Sequence, residues 1–216
     1  MINIQQFTFN VFQENTYILY DETNEAIIID AGCMKADEQK TLVNFMEDKQ
    51  LKPVKLVNTH CHIDHVLGNE FVLNKYNIPL YLHKDELITY KETKRWTLMF
   101  NMPDLFIPEN VNFIDETSEI TFGNSKLSCL LVPGHSIASV AFYCKEQNFL
   151  IGGDVIFYMS IGRTDLPGGD LTTLLQSIST KVFTLPNETK IYSGHGEPTT
   201  VGFEKQHNPY TKNLST

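Results

Sequence analysis

Short runs in which apolar and polar residues alternate fill the first thirty positions. Phe7, Phe9 and Val11 make one such run, residues 17–20 a second and residues 26–29 a third, with Asn, Glu, Thr and Asp between them. This pattern predicts three strands, and Asp30-Ala31-Gly32 closes the third in a turn. Over residues 35–49 the period changes. Leu42, Val43, Phe45 and Met46 share a helical face, with Asp37 and Glu38 well placed in the first turn. A buried strand at 54–57, a helix over 64–76 and a short strand at 80–82 are expected next. Residues 84–108 are less regular. Trp96, Met99, Phe100, Met102 and Phe106 sit in a partly helical pattern with Pro103 and Pro108, and this stretch is expected to be an excursion lying over a site. The second half repeats the strand pattern at Glu119–Phe122, 127–132, 139–143 and 149–151, followed by a helix over 171–182 and a strand at Lys190–Ser193. Two comparable halves predict two sheets packed together with helices outside, in one domain spanning residues 1–216.

Composition narrows the function classes. Hydrophobic residues make up 42% of the 216 and charged residues 20%, a globular balance that argues against disorder. A formal net charge of -9 gives a nucleic-acid partner no electrostatic support. No stretch approaches the ~18–20 apolar residues of a membrane span, and the first residues lack a basic, then apolar, leader. A cytoplasmic address without membrane partners is the expectation. Cys33, Cys61, Cys129 and Cys144 form no C-x-x-C pair and are expected to be reduced and buried. Oligomeric state leaves no legible mark.

Residues 60–65 read H-C-H-I-D-H, placing three histidines and an aspartate at the end of the strand at 54–57. Imidazole nitrogens and carboxylate oxygens crowded so closely are costly unless a cation gathers them, and they are the donors that zinc and similar divalent metals accept. Three more strand ends carry single candidates: His135 after Pro133-Gly134, Asp154 after Gly152-Gly153, and His195 between Gly194 and Gly196. His60, His62, His65, His135 and His195 are five of the seven histidines in the chain. Any of the last three alone would be read as a capping or surface residue. The 60–65 cluster makes a metal site the better reading of all four.

These motifs, in this order, resemble the metallo-β-lactamase superfamily. Asn15-Thr16-Tyr17, the Asp30-Ala31-Gly32 turn, residues 160–170 (S-I-G-R-T-D-L-P-G-G-D), Gly194-His195-Gly196 and Asn208-Pro209 are similar to its short glyoxalase II-like hydrolases. The resemblance covers essentially the whole chain and implies an α/β (α+β) fold, a four-layer αββα sandwich. It implies a first metal on His60, His62 and His135, a second on Asp64, His65 and His195, and Asp154 bridging both. Two divalent ions per chain are thus expected, zinc first, with iron and manganese suited to the same donors. Asp64 and Asp154 become the catalytic carboxylates. The implied reaction is attack by metal-generated hydroxide on a small-molecule thioester, such as S-lactoylglutathione or a related hydroxyacyl-thiol.

Arg163, nine residues after Asp154, stands where these hydrolases grip the carboxylate of the thiol carrier; a structural ion pair with Asp165 or Asp170 is the competing reading. Tyr143, Phe157, Tyr158 and the 96–106 stretch are expected to line the substrate pocket. Cys61 is expected to face away from the metals, and His83 and His207 to be structural. The chain ends about twenty residues after His195, so the C-terminal helical domain of full-length glyoxalase II is not expected. Two alternatives share the fold. A persulfide dioxygenase would hold one iron on His60, His135 and Asp154, although such enzymes carry an aspartate where Gly196 stands. A lactonase or other ester hydrolase is the second.

Overall fold

The computed structural model describes residues 1–99, 102, 104–212 and 214. Along the first half run β1 (Asn3–Phe9), β2 (Glu14–Tyr20), β3 (Glu25–Ile29), α1 (Ala36–Asp48), β4 (Lys52–Val57), α2 (Ile63–Val66), α3 (Asn69–Tyr76), β5 (Leu80–His83), α4 (Glu86–Met99) and β6 (Val111–Ile114). The second half contributes β7 (Glu119–Phe122), β8 (Ser125–Leu131), β9 (Val140–Cys144), β10 (Phe149–Gly153), β11 (Ile156–Phe157), β12 (Ser160–Ile161), α5 (Leu171–Ser177), β13 (Lys190–Ser193), β14 (Thr199–Thr200) and α6 (Val201–His207). Strands β1 to β6 form one six-stranded sheet in sequence order, a second six-stranded sheet runs β14-β13-β10-β9-β8-β7, and β11 and β12 pair as a separate short ribbon. Both sheets mix antiparallel hairpins with parallel pairs: β3 with β4, β4 with β5 and β5 with β6 in the first, β10 with β13 in the second.

Strand alternation explains the four layers. Tyr17, Leu19, Ile27 and Ile29 point at the second sheet and pack with Phe122, Leu127, Cys129 and Phe142. Their neighbours Ile18, Ala26 and Ile28 point the other way, onto Leu42 and Met46 of α1 and Val72 of α3. On the far side Ala141, Leu150 and Ile191 meet Leu174, Ile178 and Val182, carried by α5 and the wider turn that extends it. Because β2 and β3 are buried on both faces, they read as near-continuous apolar runs. Each such buried aliphatic side chain contributes roughly 1.5–3 kcal/mol.

Asp21 fastens the two sheets at the end remote from the histidines. Its carboxylate accepts from Thr23 N and Oγ1, Asn124 N and Ser125 Oγ at 2.6–3.0 Å. Burial opposes its ionisation, but these bonds outweigh burial and hold its pKa down to about 2. The folded value lies below an unfolded value of about 3.9, so the stabilisation is complete above that pH and is lost as pH falls toward 2. Asp21→Asn is expected to cost about 2 kcal/mol at pH 7 in urea unfolding, with the gap to the parent closing as pH falls from about 4 to 2.

Several boundaries differ from expectation. The helix foreseen over 64–76 is two helices, broken at Gly68. There the Gly68 N–H donates to Ala31 O at 2.6 Å, and a Cβ would lie 2.6 Å from Cys33 Sγ. The 84–108 stretch is α4 and a following loop; Phe100 and Pro103 lie outside the described residues. Strand β6 escaped notice because it is an edge strand whose Phe113 is exposed and breaks the alternation. Helix α6 has a Thr200 cap on Phe203 N that a close reading of Thr199-Thr200 could have found.

Candidate metal centre

Four strand ends converge at one edge of the sandwich. Strand β4 runs into residues 58–62, with α2 starting directly after His62. Strands β8, β10 and β13 end just before the loops of His135, Asp154 and His195. The sheets are stitched together here: Val140 N–H donates to Thr59 O (2.8 Å) and Asn15 N–H to Gly194 O (2.7 Å), while Gly194 N–H donates to Gly153 O (2.8 Å) within the second sheet. Asn15 Nδ2 and Tyr17 OH hold Ser193 O, and Asn15 Nδ2 also reaches Gly196 O. The Asn15-Thr16-Tyr17 motif therefore acts by anchoring the His195 loop. Gly194 must be glycine, since a Cβ there would overlap Asp154 Oδ1 and crowd His65.

All seven predicted ligand residues meet. His135 Nε2 lies 3.2 Å from His60 Nε2 and 2.8 Å from His62 Nδ1, closing a first group of three nitrogens. Asp64 Oδ2 lies 3.1 Å from His195 Nε2 and 3.7 Å from His65 Nε2, closing a second group. Asp154 stands between them, with Oδ1 3.4 Å from His65 Nε2 and Oδ2 3.5 Å from His135 Nε2 and 3.4 Å from His195 Nε2.

Outward hydrogen bonds fix which ring nitrogens carry lone pairs inward. His135 Nδ1 can only donate to the Arg163 carbonyl (2.8 Å), and His195 Nδ1 to the Gln13 carbonyl (3.1 Å). Thr59 gives its hydroxyl hydrogen to Asp30 (2.6 Å), so its oxygen is left to accept from His60 Nδ1 (3.0 Å). His65 Nδ1 meets Asp30 Oδ2 at 3.0 Å. With Nδ1 committed outward on each ring, His60 and His135 turn their Nε2 atoms toward each other and toward His62 Nδ1. His65 Nε2 and Asp154 Oδ1 are buried without a hydrogen-bond partner. Ring nitrogens turned toward one point beside two carboxylates are a donor set that a divalent cation fits.

The electrostatics divide the groups. Burial, and then the rings of His65, His62 and His135, hold the His60 imidazole well below its usual range. Burial and His135 pull His62 down to about 3. For His65 burial acts downward too, but Asp64, Asp154 and Asp30 outweigh it and raise the ring well above its usual value. His195 is raised to about 10, since its bonds to Asp154 and Asp64 overcome burial. Asp64 and Asp154 resist burial through His65 and His195 and titrate below the usual carboxylate range. The first group thus holds His60 and His62 in their neutral forms, and the second pairs ionised Asp64 with the His65 and His195 rings, with Asp154 facing both.

The model of the metallo-beta-lactamase superfamily matches residues 9–195. The chain belongs to the metallo-beta-lactamase superfamily. Hydroxyacylglutathione hydrolase GloC of Haemophilus influenzae is 31% identical over 218 residues, covering 99% of this chain and 100% of that protein. Among solved structures, the BLEG-1 B3 metallo-beta-lactamase superposes with a TM-score of 0.86 at 34% identity, covering 98% of this chain and 100% of that one. TTHA1623 in a di-iron-bound form superposes with a TM-score of 0.84 at 32% identity, covering 95% and 99%. The sandwich, the histidine-rich divalent-metal site and the metallo-hydrolase class are those of the superfamily.

Above the ligands of this superfamily site opens a cavity of about 750 Å³, walled by Ile88, Trp96, Ile137, Phe157, Leu166 and Arg163. Phe157 and Trp96 fall where the sequence placed them. Tyr143 and Tyr158 do not. Tyr143 sits toward the far end of β9, its side chain packed against the α5-side core and its hydroxyl on Asn148. Tyr158 stacks on Phe203 with ring centroids 5.1 Å apart, outside the cavity wall. Arg163 reaches the rim, and its side chain forms a bidentate pair with Asp165 (2.7 and 2.8 Å).

Cys61 is buried in the helix-side core. His83 sits 3.8 Å from Asp85 and His207 packs on Phe203, both outside the candidate ligand groups. All four cysteines are free and buried. Among the described residues no helix is long and apolar enough to cross a membrane. The sequence reading missed the buried acids around the ligands, Asp30, Glu14 and Glu86. Only Asp30 had a signal, its place in the Asp-Ala-Gly turn.

Proposed function

We propose that the protein is a metal-dependent thioester hydrolase, acting on a hydroxyacyl-thiol such as S-lactoylglutathione. Two divalent ions would be held by the seven residues, zinc first, with iron or manganese matching the same donors. The observation that carries the reading is the convergence beneath the cavity of two complete ligand groups with Asp154 between them. When bound, such a pair of ions lowers the pKa of a water toward about 7 and polarises a carbonyl oxygen. The chain's own residues supply the rest. Asp64 and Asp154, ionised on the cavity floor, accept hydrogen bonds from the attacking water and orient it. Phe157, Trp96 and Ile137 exclude bulk water and bury the acyl chain. The similarity to GloC supports the thioester reading.

Turnover of S-D-lactoylglutathione by the metal-loaded protein tests it, run beside lactone, β-lactam and simple ester substrates. Cleavage of one of those with the thioester left intact would end the assignment. The dioxygenase reading needs one iron on His60, His135 and Asp154, and leaves the complete second group of Asp64, His65 and His195 without a task. Oxygen uptake with glutathione persulfide, at one iron per chain, would favour it.

Arg163→Ala is expected to raise KM several-fold with kcat little changed, as removal of a contact made equally in ground and transition states requires. Unchanged steady-state kinetics would assign that side chain to its Asp165 pair alone.

A further inference from the structure

Helix α4 borders both the cavity and the ligand loops: Ile88, Thr89, Glu92, Thr93 and Trp96 line the cavity, and Glu86, Thr89 and Thr93 are buried against the two loops that carry the first histidine group. Glu86 Oε2 accepts from Cys61 N–H at 2.9 Å, the peptide between His60 and His62. Its Oε1 accepts from Ala138 N–H (2.9 Å) and from the hydroxyl of Ser136 (2.5 Å), the residue directly after His135. Thr93 adds a bond from Oγ1 to the Cys61 carbonyl (2.7 Å), and the Thr89 hydroxyl lies 3.3 Å from that of Ser136. The loop of His60 and His62 leaves the first sheet, and the loop of His135 leaves the second. One carboxylate therefore spans the gap between the two sheets at the place where their imidazoles must meet.

We propose that Glu86 is the positioning residue of the first group: it fixes the distance from the His60–His62 turn to His135, and with it that group's affinity for its ion. The proposal rests on reading those three histidines as ligands. The second group hangs on other supports, Asp30 behind His65 and the Gln13 carbonyl behind His195. Its affinity is expected to be insensitive to Glu86. A glutamine at 86 has the same shape but only one accepting oxygen. It cannot serve Cys61 on one side and Ser136 and Ala138 on the other, because its NH2 faces a donor on whichever side it points. Partners behind metal ligands are typically worth about 10–100-fold in metal affinity.

The test is zinc titration of metal-free protein against a competing chromophoric chelator, comparing wild type, Glu86→Gln and, to mark the second-group event, His195→Ala. Glu86→Gln is expected to weaken one binding event by about 10–100-fold, the event that His195→Ala leaves intact, and to change the other less than about twofold. In the cobalt(II)-loaded variant only the absorption bands of that first event should shift. Equal weakening of both events would mark Glu86 as general scaffold and overturn the proposal, as would wild-type affinity at both. If Glu86→Gln does not fold, Thr93→Val decides. It removes only the bond to the Cys61 carbonyl and should weaken the same event by a few-fold, whereas no change or a change in both refutes the clamp. Failure of the underlying reading is separable, because wild-type protein would then show no two zinc-binding events.

Discussion

Asp154→Ala is expected to reduce hydrolysis by at least about 10³-fold and to cut the number of ions retained per chain. Asp154 faces both groups, with distances of 3.4 Å to His65 Nε2, 3.5 Å to His135 Nε2 and 3.4 Å to His195 Nε2. Removing it deletes the carboxylate charge that would lie between the two ions and that favours the charged forms of His65 and His195. A pair of ions supplies several kcal/mol of transition-state stabilisation, and each 1.36 kcal/mol is tenfold in rate. Asp154→Asn makes the contrast informative, since it keeps the volume and loses the charge. Steady-state kinetics beside elemental analysis reads both effects. An alanine variant with full activity and full metal content would remove Asp154 from the centre.

Asp30→Ala is expected to be the most damaging change outside the ligand set. The Asp30 carboxylate is buried and accepts from Thr59 N (2.7 Å), Thr59 Oγ1 (2.6 Å), Asn58 Nδ2 (3.3 Å) and His65 Nδ1 (3.0 Å). Alanine strands these donors in the interior at roughly 1–3 kcal/mol for each left unpaired, so a loss of about 3 kcal/mol or more in urea unfolding is expected. It also frees the His65 ring to choose its other tautomer, and through Thr59 it loosens the His60 ring. Metal affinity should fall by about 10–100-fold on that account. Asp30→Asn, which keeps one accepting oxygen, should fall between the two. Wild-type stability and metal affinity in the alanine variant would show that the rings are oriented by something else.

The seven candidate ligands could be read in the sequence because metal binding demands particular side chains, and four strand-end loops displayed them against an otherwise ordinary apolar pattern. The layers were legible for a related reason: Ile18 and Ile28 must face helices while Leu19 and Ile29 face the opposite sheet, and that double burial writes itself as continuous apolar runs. Direction and distance were not. Tyr143 follows Phe142 on β9 and so points to the opposite face, and nothing in an aromatic residue's identity reveals which face a cavity occupies. Tyr158 is one residue beyond a true cavity residue, Phe157, and turns away onto Phe203. The buried acids were hidden for a third reason. Glu86 opens a helix, where an acidic residue is expected anyway, and its bonds to Cys61 and Ser136 join positions far apart in the chain. The break at Gly68 depends on the approach of Ala31 and Cys33, a tertiary fact that local helical period cannot carry.

The most direct measurement is the metal content of the purified, folded protein by elemental analysis, counted per chain and repeated after chelation and dialysis alongside an assay of thioester turnover. Two divalent ions per chain, with turnover vanishing on their removal and returning on their restoration, is the expected result. One ion per chain at full activity, or turnover that survives verified removal of all metal, would contradict the account.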